Sequence, residues 1–227
     1  MHKPNATKGA RMKRAAVGIS LFLSFGLTAP GANAQTMPPQ GLYCSCPPTT
    51  SQSHSVVPDV ASKDFVTGIL VRVAWSDLEP VEGAPSWTLL DNELALAKQY
   101  GKKVALAVVN GSSAPAWLAA KGAQMFAYSF RGNSATMPVP WDAVYLSAWT
   151  NFIAKLGERY RDDPAITLVH ITHSSQNGFE MQIPFSPQDQ QAWQQIGYAA
   201  DRHIQSWKSV VDAFAAAFPA KPLDVEV

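Results

Sequence analysis

Cysteine is nearly missing from this chain. Cys44 and Cys46 are the only two among 227 residues, and two positions apart on an extended segment they share a face in poor geometry for a disulfide. No further metal-type pair completes a zinc site, so both read as ordinary buried thiols. No Gly-x-Gly-x-x-Gly or phosphate loop follows any candidate strand, which removes the best support for a nucleotide-binding doubly wound sheet. The apolar run Ala15 to Leu27 is too short to span a bilayer comfortably. Positive charge is also scarce once the head of the chain is set aside.

That head has the order of a secretory signal peptide. Lys3, Lys8, Arg11, Lys13 and Arg14 precede the apolar run, and Ala32-Asn-Ala34 offers small residues for cleavage before Gln35. Residues 1–34 are therefore expected to be removed from a secreted or periplasmic protein, an uncleaved anchor being the alternative. Cys44 lacks the preceding small residues that lipoprotein processing needs. The head holds five of the 18 basic residues and none of the 17 acidic ones, which leaves a formal charge of −4 on the remainder. Neither nucleic acid nor an anionic membrane surface is expected as a partner.

Residues 35–64 read as a linker with a short first strand near Gly41 to Cys46, then a polar loop and a helical turn after Asp59. From residue 65 the periodicity is clearer. Ile69, Val71, Val73 and Trp75 alternate with Leu70, Arg72 and Ala74, the period of two of a strand. A helix is predicted from Trp87, with Thr88 and Asp91 as a capping box and Gly101 at its end. Lys103 to Val109 is the next strand, and Asn110 to Trp141 a long, aromatic-rich excursion. Tyr145, Leu146, Trp149, Phe152, Ile153, Leu156 and Tyr160 mark one face of a helix. Ala165 to Thr172 is another strand. Ser186-Pro187 opens helical pattern that runs to Phe218, with a break near Gly197 and a buried stripe through Ile204, Trp207, Val211, Phe214 and Phe218. A last strand begins at Pro222. Strands separated by helices and never by a hairpin imply a parallel α/β sheet.

The segment VRVAWSDLEPVEGAPSWTLLDNELALAKQYGKKVALAV, followed by PAWL at Pro115 to Leu118, resembles the N-terminal half of retaining glycoside hydrolases with a (β/α)8 barrel. The nearest group is the β-galactosidase-like one around family 42, and the resemblance covers most of residues 65–183. It implies a TIM-type barrel, here represented by about its first five βα units in residues 65–227, and retaining hydrolysis of a β-linked glycoside. In such barrels the site lies at the C-terminal ends of the strands. Two carboxyl groups about 5–5.5 Å apart do the chemistry, one a proton donor and one a nucleophile.

The resemblance places the donor just after the fourth strand, at Glu180 in THSSQNGFEMQIP. The family's donor is usually preceded directly by Asn. Phe179 stands there instead, with Asn177 three residues before the glutamate. Strand ends also supply Arg72, Asn110, His170, His173 and Asn177 as substrate-binding candidates, and Trp117 as a platform for a sugar face. Trp75 points by parity to the helix side, and Glu79 is read as fixing its turn. His170 and His173 fall on opposite faces of a strand and so do not share a metal. No metal or other cofactor is expected. Asp224 and Glu226 face inward by parity, lining a polar site or lying at a frayed end. The family's nucleophile sits on the seventh strand, which this chain does not reach. The 227-residue product is thus expected to be inactive and to self-associate through an open sheet edge. The alternative is a non-catalytic remnant that binds carbohydrate.

Overall fold

The computed structural model describes residues 37–226. The segment read as an export signal lies outside these residues. Among those described, no helix is long and apolar enough to cross a membrane.

Five strands form one sheet: β1 (Leu42–Ser45), β2 (Val66–Ala74), β3 (Lys103–Val109), β6 (Ile166–His170) and β7 (Leu223–Asp224). All neighbouring pairs are parallel, and spatial order follows chain order, β1-β2-β3-β6-β7. A doubly wound sheet reverses its order at a switch point; this sheet has no reversal. The β2–β3 register runs from Gly68 opposite Lys103 to Ala74 opposite Val109. Ile69, Val71, Val73, Val104, Leu106, Val108 and Val169 thus form one apolar face. Against it pack α3 (Thr88–Gln99), α5 (Ala143–Tyr160) and α7 (Ala200–Ala217) through Leu90, Leu94, Trp149, Phe152, Val210 and Phe214.

The opposite face carries Gly68, Arg72 and Thr167. The Tyr43 ring lies over Gly68, where any Cβ would meet its Cε1 at 2.3 Å. Tyr43 Oη then reaches Thr167 Oγ1 at 2.8 Å. β1 and β6 are three strand spacings apart, about 14 Å in a flat sheet, more than these two side chains and one hydrogen bond can bridge. The sheet curls over this face.

Several sequence expectations need correction. The excursion after β3 contains a hairpin of antiparallel strands, β4 (Met125–Phe130) and β5 (Asn133–Pro138), turned by Arg131 and Gly132 at positive φ. A short helix, α4 (Trp117–Ala120), precedes it. No capping box forms at α3. Thr88 is already helical, and the Asp91 carboxylate instead accepts from Arg159 Nη2 and Tyr160 Oη, both at 2.8 Å. A capping box does form at Ser186 and Asp189, opening α6 (Pro187–Gln195). On α7 the stripe is phased differently: Val210 and Ala217 are buried, whereas Ile204 and Val211 are exposed. Cys44 and Cys46 are free and only half-buried, since Cys44 lies within the edge strand β1 and Cys46 just after it. The last strand is two residues long.

Candidate active site

Trp75 directly follows β2 and begins a single helical turn, α2 (Trp75–Leu78). Its indole is fully buried and its Nε1 donates to Glu79 Oε2 at 3.0 Å. Glu79 Oε1 accepts from Gly83 N at 3.0 Å and faces Lys155 Nζ at 3.4 Å. A carboxylate so engaged fixes the turn. Trp117 belongs to this same assembly. Its ring meets Trp75 edge-on at 5.8 Å, and its Nε1 donates to the Glu79 carbonyl at 2.8 Å. It stands on the helix side, apart from the other candidates. Arg72 also stands apart: its Nη2 donates to the Cys46 carbonyl at 2.7 Å, toward the β1 edge.

The ends of β3 and β6 bring Asn110 and His173 together around one buried hub, Tyr145 of α5. Its hydroxyl accepts from Asn110 Nδ2 at 3.1 Å and from Ser174 N at 2.8 Å. With both acceptor positions taken, its single hydrogen must go to His173 Nδ1, 2.8 Å away. His173 is therefore the neutral tautomer protonated at Nε2. It donates to Ser206 Oγ at 3.1 Å, which donates in turn to the His203 carbonyl at 2.7 Å. Burial pushes the His173 imidazole down to about 3, with His203 nearby adding to the effect. Burial also holds the Tyr145 phenol well above its usual value. Asn110 and His173 are wholly buried, and their polar atoms are spent on the protein. Both act on the loop after β6. Tyr145→Phe removes the partner of two buried donors and one buried acceptor. It is expected to cost about 1–3 kcal/mol, read as a lower urea midpoint at unchanged slope.

That loop carries Asn177 and Glu180. Asn110 N donates to the Gly178 carbonyl at 2.9 Å, and a Cβ on Gly178 would lie 2.1 Å from the Asn110 carbonyl oxygen. Only glycine allows the two backbones this approach. Asn177 Oδ1 accepts from Phe179 N at 3.0 Å and Glu180 N at 2.9 Å, so it shapes the turn directly before the glutamate. Gln176 N donates to the Gln182 carbonyl at 2.7 Å, and Met181 N to the Glu226 carbonyl at 3.0 Å. Glu180 emerges from this anchored loop half-buried. His170, at the end of β6, lies under Phe179 with ring centroids 5.2 Å apart and beside Asp224 of β7. Tyr145 drew no attention in the sequence except as one apolar position on a helix face. Each bond of its hydroxyl joins residues about 30 positions apart, so no local pattern marks it.

The fold is similar to that of the cold-adapted β-galactosidase from Rahnella sp. R3, with a TM-score of 0.54 at 19% identity. That match covers 81% of this chain and 35% of the other. A β-galactosidase of Arthrobacter sp. is 33% identical over 103 residues, 43% of this chain and 15% of the relative. The chain thus spans a minor part of the length of both. Residues 62–218, more than half of the sequence, match the β-galactosidase family of glycoside hydrolases, family 42, and the chain belongs to that family.

Proposed function

We propose that this chain provides the proton-donor part of a site for retaining hydrolysis of a β-linked glycoside, a galactoside being the first candidate from the names of its relatives. Glu180 protonates the leaving-group oxygen and then, as a base, activates the water that releases the sugar. The observation that supports this reading is the Glu180 loop, anchored through Gly178 and Asn177 while leaving the carboxyl half-open. Asn110, His173 and Asn177 position that carboxyl, and His170 packs under Phe179, the residue before Glu180. A retaining site also needs a nucleophile, which the family resemblance puts on a seventh barrel strand. The described residues contribute five strands to the parallel sheet, so hydrolysis requires βα units besides these. The open edges at β1 and β7 are where they would pair, or where copies of the fragment alone would associate.

The test is leaving-group dependence in a protein completed to eight strands. Glu180→Gln is expected to lower kcat/KM about 10²–10⁴-fold on glycosides with poor leaving groups. Nitrophenyl glycosides, whose departure needs little acid, should lose far less, and azide should restore part of that loss. Equal loss on both substrate types would assign Glu180 to binding or structure. Turnover by the 227-residue chain alone would remove the need for further units.

A further inference from the structure

We infer that His170, Asp224 and Glu226 form a binding site for a divalent transition-metal ion, where the end of β6 meets β7. One donor atom from each residue lies within 4.8 Å of the others. His170 is 5% exposed, and neither its Nδ1 nor Asp224 Oδ1 makes a hydrogen bond, although both atoms are buried. They are nevertheless only 2.7 Å apart. Distance is satisfied and direction is not: the oxygen lies off the axis of the ring N–H, so the contact fails as a hydrogen bond.

Two donors side by side suit an ion better than they suit each other. An ion about 2.1 Å from both, in the ring plane along the Nδ1 lone pair, would subtend them at about 80°. That is close to the right angle between neighbouring ligands of an octahedral ion. The backbone sets this bite in advance. His170 pairs with Asp224 in the β6–β7 register, and Ile171 N donates to the Asp224 carbonyl at 2.8 Å. The Glu226 carbonyl is fixed by Met181 N, and Phe179 covers the imidazole ring. One imidazole with two carboxylates favours Zn²⁺ or Mn²⁺ over Ca²⁺, which prefers oxygen alone. Glu226 is exposed and Asp224 partly so, which leaves room for water on the remaining positions. No local sequence pattern marks this site, because its histidine comes from β6 and its carboxylates from β7 and the residues just after it.

The test uses the full chain stripped with EDTA, titrated calorimetrically with Zn²⁺ and with Mn²⁺. One equivalent should bind saturably in the micromolar range and raise the melting temperature. His170→Ala should weaken binding tenfold or more and abolish the thermal shift. Glu226→Gln, at an exposed position that tolerates change, should weaken it severalfold. Glu158→Gln, an exposed carboxylate on α5, should change nothing. Glu180→Gln should leave metal affinity intact, so the outcome is independent of the proposed catalysis. Absence of saturable binding below millimolar metal would overturn the assignment. So would affinity unaltered in both His170→Ala and Glu226→Gln.

Discussion

Trp75→Ala is expected to lower the free energy of unfolding by about 3–5 kcal/mol, the range for removing a large aromatic from a packed core. Its ring is fully buried, with Trp149 at 4.8 Å, Phe152 at 5.7 Å, Trp117 at 5.8 Å and Tyr145 at 6.3 Å between centroids. The cavity would border four aromatic rings and could not collapse without moving α5. The substitution also strips Glu79 Oε2 of its indole donor and leaves that buried oxygen without a partner, Lys155 and Gly83 both engaging Oε1. Trp75→Phe keeps most of the volume and loses the hydrogen bond, so its cost should fall well below that of alanine. Urea denaturation of both variants separates the packing loss from the polar one. Equal stability of Trp75→Ala and wild type would mean that this cluster does not carry the fold.

Acid should unfold the protein early. His173 has a folded-state value of about 3, against about 6.5 in an unfolded chain. Between those values the unfolded state binds the extra proton, so stability rises with pH across the window and falls on acidification. The accumulated loss at pH 3 is on the order of 4 kcal/mol, from about 1.4 kcal/mol per unit. His203, lowered by burial, acts in the same direction. Asp163 acts only at lower pH. Burial raises it, but Lys98 and the Ala165 backbone N–H outweigh that and hold it below the ordinary carboxylate value, so its contribution is lost below about 4. Urea midpoints taken from pH 7 to pH 4 should therefore decline. ¹⁵N spectra should show His173 neutral and protonated at Nε2 throughout. An imidazolium signal for His173 in folded protein at pH 5 would contradict the buried hub.

Local pattern carried much of this architecture. The alternation in Ile69–Val73 and Val104–Val108 marked two of the three interior strands, β2 and β3, and the stripe through Tyr145, Trp149, Phe152 and Leu156 marked α5. Tertiary context decided what pattern left open. Phe126, Tyr128 and Phe130 alternate ahead of Gly132, a hairpin signal that lacked the usual Asn-Gly turn. On α7, spacing permits either Val210 or Val211 to face inward, and packing against α5 chose Val210. Glu180 became the candidate donor through family resemblance. The residues that hold its loop were not all recognisable, because the Tyr145 bonds close between segments 28 to 35 residues apart. Nothing in the neighbourhood of Tyr145 encodes them.

The bond from Tyr43 to Thr167 has a bearing on the order of folding. It joins positions 124 residues apart, and a loop of that length closes slowly. Its acceptor surface does not exist until β2, β3 and β6 have already aligned. The edge strand β1 should therefore dock late, onto a preformed platform, and be the first element to detach. Amide exchange in Leu42–Ser45 should outpace that in Ile69–Val73, with the curl of the sheet relaxing as the tyrosine lets go.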